Sequence, residues 1–270
     1  MKNKLIITTP LLILLVSLVF TACDREITDT ASDRSVSEEV LKQIAALGFD
    51  TKDAVKLDDG YLVEGDIWLT DENLQAAAPL DVRFPHSEQY RTFNLVQGLP
   101  RVIQVGVSPR LPAAYVTATD IALQRFNALG LRLTFQRVTS GTPNIIIQPA
   151  EPGATFLARA GFPSGTGNPF WKVEMSVNNI GNGGQNYIAT IIAHELGHCI
   201  GFRHTDFMNR SFSCGSGGNE GQIATGIGAV HIPGTPTTPE ANSWMLACIG
   251  FNVNRLFTSN DSLALTVLYN

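Results

Sequence analysis

Three of the chain's five histidines fall within one eleven-residue stretch, His194-Glu195-Leu196-Gly197-His198-Cys199-Ile200-Gly201-Phe202-Arg203-His204. His194 and His198 are four residues apart, so on a helix they share a face and both offer a ring nitrogen to one cation. Glu195 follows the first ligand and lies beside the metal rather than on it. There a carboxylate takes the proton of a water held by the metal. Gly201 lets the chain leave the helix in a left-handed conformation, and that turn returns His204 to the same ion. Three neutral nitrogen ligands leave one position open for water, as catalytic Zn2+ sites do and structural sites do not. Such a metal lowers the pKa of its water to about 7 and polarises a carbonyl. The implied chemistry is hydrolysis of an amide. The remaining histidines, His86 and His231, suggest no Ser-His-Asp alternative.

A helix over residues 187–199 is needed to carry the pair. Ahead of it, residues 102–107, 132–138, 144–148, 154–160 and 172–177 read as strands, the last two separated by a Gly/Pro-rich stretch at 161–169. Residues 115–129 read as a helix, with Val116, Ile121, Ala122, Leu123 and Phe126 apolar and Gly130 at its end. Strands and one helix followed by a second helix predict an α+β fold. Residues 205–242 are rich in Gly, Pro, Ser and Thr, and read as a long loop, either functional or merely decorating the surface. Residues 259–269 read as a final helix capped by Ser259 or Asn260.

The first residues read as an export signal, residues 1–22. Lys2 and Lys4 precede an apolar run from Leu5 to Phe20, which ends in Thr21-Ala22-Cys23. Thr8, Thr9, Pro10 and Ser17 interrupt the run, which favours a cleaved leader over a membrane anchor. The tract Leu18 to Cys23 resembles a lipobox, with Phe20 where Leu is usual, so Cys23 is a candidate lipidation site and the envelope or the outside of the cell the expected location. The formal charge is −5, and losing the two leader lysines makes it two units more negative. No basic cluster appears, which speaks against nucleic acid as a partner. An exported protein meets oxidising conditions, so one disulfide among Cys199, Cys214 and Cys248 is expected. The sequence leaves all three pairings open, and Cys199 also reads as a small buried side chain.

Residues 23–95 have a texture of their own. A polar tether runs to about residue 34, and Ser35-Val36-Ser37-Glu38 looks like a capping box ahead of a helix ending near Gly48. Residues 54–57 and 61–69 flank Asp58-Asp59-Gly60, a good hairpin turn. A small α/β segment is expected, joined by residues 74–95 to a main domain over 96–270. Ahead of an exported hydrolase it reads as a pro-segment covering the cleft. It contains no cysteine after Cys23, so an Asp or a main-chain group would have to reach the metal. The rival is a permanent accessory domain or spacer.

The stretch from His194 to Asp206, HELGHCIGFRHTD, resembles the metzincin clan of zinc endopeptidases, and within it the bacterial dual-action HEIGH metallopeptidases, with Leu196 where that name has Ile. The resemblance covers about residues 100–270. It implies a metzincin-like zincin domain: a twisted mixed sheet, an active-site helix and an irregular C-terminal subdomain. It implies zinc on His194, His198 and His204, Glu195 as general base, and a turn with Met245 as an apolar floor beneath the metal. Ala247 stands where some relatives place a Tyr ligand, so three histidines and water are expected. It also implies that a protein or peptide substrate pairs antiparallel with an edge strand. Phe156, Leu157, Ala158, Arg159 and Ala160 are the candidates. A monomer is expected. The rivals are a catalytically silent surface binding lipoprotein on a zincin scaffold, and a zinc hydrolase acting on a non-peptide amide. Glu195 speaks against the first, since binding alone has no use for it.

Overall fold

A computed structural model describes residues 34–75, 89–219, 227–236 and 238–270. The leader, Cys23 and His86 lie outside the described residues. In chain order come α1 (Glu38–Ala46), β1 (Val55–Leu57), β2 (Gly60–Val63), β3 (Ile67–Leu69), α2 (Asp71–Gln75), β4 (Tyr90–Arg91) and β5 (Arg101–Val107). Then follow α3 (Ala113–Asn127), β6 (Leu133–Val138), β7 (Ile145–Pro149), β8 (Ala158–Ala160), β9 (Lys172–Met175) and α4 (Val177–Ile180). The chain ends with α5 (Gln185–Ile200), α6 (Ser211–Cys214), β10 (Val230–His231) and α7 (Ser259–Tyr269). The expected α+β class is borne out.

One mixed sheet runs in the order β1-β2-β3-β8-β9-β7-β5-β6. Strands β6, β5, β7 and β9 are mutually parallel, and β8 returns antiparallel to β9. The parallel neighbours β5 and β6 are joined through α3, as parallel pairing requires a crossover. Along β5, Ile103 and Val105 are buried while Val102 and Gln104 are exposed, the period-two alternation of a strand with one face on the core. Helices α3 and α5 pack together, and α5 also packs on β8 and β9. Every residue of α5 from Tyr187 to Ile200 is buried, so the helix has no solvent face to keep polar. Its polar residues are therefore costly unless satisfied or used.

The N-terminal segment has its own small core. Ile44, Leu47, Phe49, Val63, Ile67, Leu69 and Leu74 pack together and against Phe162 and Ile227 of the main body. Strand β3 then joins the main sheet, parallel to β8, with Ile67 opposite Ala160. The stretch proposed as an edge strand is thus an interior strand in this chain, because β3 takes its outer side. Only Ala158–Ala160 is extended in pairing; Phe156 and Leu157 lie in a bend before it.

Other expectations shift. The capping residue of α1 is Ser37, two positions after the expected Ser35. The run 61–69 is broken into β2 and β3 by a turn in which Glu64 and Gly65 take positive φ of 56° and 91°. The run 172–177 ends at Met175, where Ser176 caps α4. The cap of α7 is Thr258, whose hydroxyl accepts from the Asp261 N–H while the Asp261 carboxylate accepts from the Thr258 N–H. Residues 89–95, placed in the joining segment, pack on the main body: the Gln89 amide donates to Asp261 and the Thr92 N–H to the Gly201 carbonyl. Cys214 and Cys248 form the disulfide, and Cys199 is free and buried. Among the described residues no helix is long and apolar enough to cross a membrane.

Candidate metal centre

Helix α5 places His194 and His198 one turn apart, with their Nε2 atoms 3.1 Å from each other. Each ring is oriented from behind. His194 Nδ1 lies 2.9 Å from the Trp244 carbonyl oxygen and His198 Nδ1 lies 2.8 Å from that of Phe202. A carbonyl only accepts, so both Nδ1 atoms carry the hydrogen and both Nε2 atoms present lone pairs. Burial, reinforced by His194 and His204, pushes His198 well below its usual pKa, which keeps it neutral. Two lone pairs facing at this distance repel unless a cation lies between them. For Zn–N bonds of about 2.0–2.1 Å, tetrahedral geometry sets nitrogen neighbours about 3.3–3.4 Å apart. The donor chemistry and spacing fit zinc.

The third ring arrives through Gly201, which ends α5 with φ 111° and ψ 12°. A side chain there would be strained by the backbone angle and would also meet Leu95 and the Asn94 carbonyl at 2.7 and 2.9 Å. The turn brings His204 back so that the ligand atoms of His194, His198, His204 and Asp66 all lie within 4.8 Å of one another. Beneath them, Met245 is fully buried. Gly197, between the two helical ligands, faces it: an added Cβ would lie 2.6 Å from both Met245 Sδ and the buried Trp244 ring. A glycine in mid-helix is thus explained by the close approach of the Ser243–Met245 turn.

Glu195 is buried, and its Oε2 has no hydrogen-bond partner among the described residues. Burial pushes its carboxyl well above the usual range, the charge of Asp66 adds to this, and His204 opposes it. An unpartnered buried carboxylate oxygen is expensive, and such groups mark working sites.

Asp66, in the turn before β3, was not singled out by the sequence. Its Oδ2 lies 3.2 Å from His204 Nε2 and 3.6 Å from His194 Nε2. Burial alone would raise its pKa, but His204 and His194 outweigh this and hold the carboxyl well below its usual range. The surrounding contacts clamp that turn onto the body. Arg210 donates to the Glu64 carbonyl, the Ala160 N–H donates to the Asp66 carbonyl at 3.0 Å, and Arg203 Nη2 lies 3.9 Å from the Glu64 carboxylate. Next along, Trp68 receives Lys172 Nζ at 3.8 Å and the Arg159 guanidinium at 4.4 Å from its ring centre.

The structure therefore brings together His194, Glu195, His198, Gly201, His204 and Met245 as expected from the sequence. Ala158 lines the cavity beside them, whereas Arg159 is turned away and bound to Glu174, Nε to Oε2, at 2.8 Å. Asp206 is a further residue the sequence did not single out. Its carboxylate accepts from the Ala247 N–H at 2.9 Å and from Ser213 at 2.6 Å, tying the ligand turn to the segment after Met245. Its place two residues past the last ligand was the one local signal available.

The family model described as dual-action HEIGH metallo-peptidase matches residues 61–269, a span that begins in β2 and takes in Asp66. No curated protein matches the chain. Among solved structures, myroilysin is similar at 14% identity over 67% of this chain and 98% of its own, with a TM-score of 0.43. High choriolytic enzyme 1, a hatching enzyme zinc-protease from Oryzias latipes (medaka fish), is similar at 19% identity over 62% and 88%, with a TM-score of 0.39.

Proposed function

The chain belongs to the dual-action HEIGH metallopeptidase family, and from this we propose a specific reading: it is a zinc endopeptidase whose N-terminal segment holds it latent. That it is a zinc metallopeptidase follows from the family. The observation that carries the mechanism is the convergence of three imidazole nitrogens beside Glu195, whose Oε2 has no hydrogen-bond partner among the described residues. His194, His198 and His204 hold the zinc, which when bound supplies a Lewis acid that polarises the substrate carbonyl and acidifies water. The Trp244 and Phe202 carbonyls fix the tautomers of His194 and His198. Glu195 accepts the proton of the attacking water at its carboxylate and passes it to the departing amine nitrogen. Its raised pKa suits a group that must both take and return a proton.

A silent binding protein on the same scaffold would have no reason to keep a buried Glu195 with a carboxylate oxygen unpartnered among the described residues. Asp66 supports latency rather than permanent inactivity, because it is borne by a segment with a small core of its own. Strand β3 occupies the side of β8 on which a peptide would form its main-chain bonds, and it runs parallel to β8 where substrate is expected to run antiparallel. The segment therefore blocks the cleft without lying in it as a substrate would.

The test is digestion of casein by the purified protein after its N-terminal segment has been removed by limited proteolysis. A chelator should abolish cleavage and stoichiometric zinc should restore it, with about one zinc bound per chain. Digestion that persists in chelator would refute the zinc mechanism. Digestion of non-peptide amides but not of casein would favour the other hydrolase reading.

Export, with lipid on Cys23, is part of the same proposal. The Cys214–Cys248 disulfide supports it, since such bonds persist in oxidising compartments. Cys23→Ser is expected to shift the protein from the membrane to the soluble fraction. An unchanged distribution would remove the lipid from the account.

A further inference from the structure

Beside Glu195 lies a cavity of about 200 Å3. Thr190, Ile191, His194 and Glu195 of α5 form one wall, and the Leu246–Ile249 segment after the Met245 turn forms another. Leu157 and Ala158 also line it. Most of this lining is apolar, but Arg255 also contributes to it. One of its guanidinium nitrogens, Nη1, donates to the Cys248 carbonyl at 2.9 Å, which steadies the group against the disulfide-bonded segment. Among the described residues no carboxylate is within ion-pairing distance of it. Burial lowers its pKa, while Asp206 and Asp261 act from farther off to hold the charge.

The direction of β8 says which substrate residue reaches this cavity. The Ala160 end of the strand lies at Asp66 and the metal ligands, because the Ala160 N–H donates to the Asp66 carbonyl. The Leu157–Ala158 end lies at the cavity. A peptide antiparallel to β8 enters at Ala160 and leaves at Leu157, so the cavity receives a side chain from beyond the cleaved bond.

We propose that Arg255 makes this cavity a pocket for an acidic side chain, that of the substrate residue immediately after the bond that is cut. This rests on the peptidase reading above and adds its substrate preference. A carboxylate in the pocket would meet a fixed guanidinium in surroundings of low polarity, where a charge-assisted hydrogen bond is strong. The latent form is consistent with this. The acidic turn Glu64-Gly65-Asp66 lies over the same cavity, and Arg210 at its wall is engaged there by the Glu64 carbonyl. When that turn leaves, the Arg255 guanidinium and the apolar walls of the cavity remain to meet a substrate side chain.

The test is cleavage-site mapping. The zinc-loaded full chain carrying Asp66→Ala is incubated with a peptide library made from a digested proteome, and the new termini are sequenced. The same chain with Glu195→Gln serves as the blank. Asp and Glu should be enriched over Asn and Gln after the cut by about tenfold to a hundredfold. Arg255→Gln should bring that ratio close to one, while cuts before neutral residues persist and show that the variant is folded. Arg255→Lys should retain most of the preference, and Arg255→Glu should turn it towards Lys and Arg. Cuts with no acidic enrichment, or enrichment that survives Arg255→Gln, would overturn the pocket assignment alone. No termini above the blank would overturn the peptidase reading and this inference with it.

Discussion

Glu195→Gln should lower peptide hydrolysis by about 10²- to 10⁴-fold, the range lost when a positioned general base is removed, while the protein still binds one zinc per chain. The two halves of this expectation come from different contacts. Zinc retention follows from the three rings, which are oriented by carbonyls and a glycine turn that do not involve Glu195. The loss of rate follows because Gln is nearly isosteric but takes no proton. The substitution also removes a buried carboxylate oxygen that has no hydrogen-bond partner among the described residues. Stability should therefore hold or rise, since an isolated buried charge is unfavourable. Thermal unfolding, metal analysis and steady-state kinetics on one preparation measure all three. A variant that hydrolyses peptide at the wild-type rate removes Glu195 from the mechanism. One that loses its zinc shows that the carboxylate is a ligand instead.

Asp66→Ala should raise the activity of the intact full chain by about tenfold to a hundredfold, the worth of one interaction of ~1.5–3 kcal/mol between charged partners. The carboxylate stands 3.2 Å from His204 and 3.6 Å from His194, where a fourth ligand would compete with water. The gain should stop short of full activity, because β3 remains paired with β8 and Trp68 remains packed against Arg159 and Lys172. Removing the segment should release the remainder. Asp66→Asn should fall between, since the amide keeps the shape but not the charge. Mass spectrometry must show the chain intact during the assay. Equal activity of intact wild-type and Asp66→Ala chains would show that Asp66 does not restrain the site. N-terminal sequencing of the active form completes the test: full activity with residues 34–75 attached would make the segment a permanent part.

The release of Asp66 also bears on Glu195. Asp66 is one of the charges that push Glu195 upward. Without Asp66 that upward push would be absent, and burial alone would hold the Glu195 carboxyl high.

The catalytic stretch was legible because its logic is local. Four-residue spacing sets two imidazoles on one helical face, and a glycine three residues after the second of them, Gly201, permits the turn that returns the third. All of that is contained in eleven consecutive residues. The α+β class was legible for a similar reason, since apolar periodicity reports which face of each element is buried. Element ends were less so. Ser35 and Ser37 are both good caps, and only the packing of Ile44 and Leu47 into the small core decides between them.

Asp66, Arg255 and the pairing of β3 with β8 depend on contacts far apart in the chain, for which one sequence carries no signal. Asp66 and His204 are 138 positions apart. Nothing near Asp66 distinguishes it from the other acids of a polar segment. It reaches the metal ligands because two residues of positive φ break the run 61–69 and because β3 finds an open strand side on β8. Likewise, Cys214 could be assigned to Cys248 rather than Cys199 only once α5 had buried Cys199 on every side. The sequence by itself singled out three histidines as the candidate metal ligands and Glu195 as the candidate base. The tertiary structure alone decided what lies over them and what lines the pocket beside them, because those neighbours are chosen by burial and strand pairing and not by spacing along the chain.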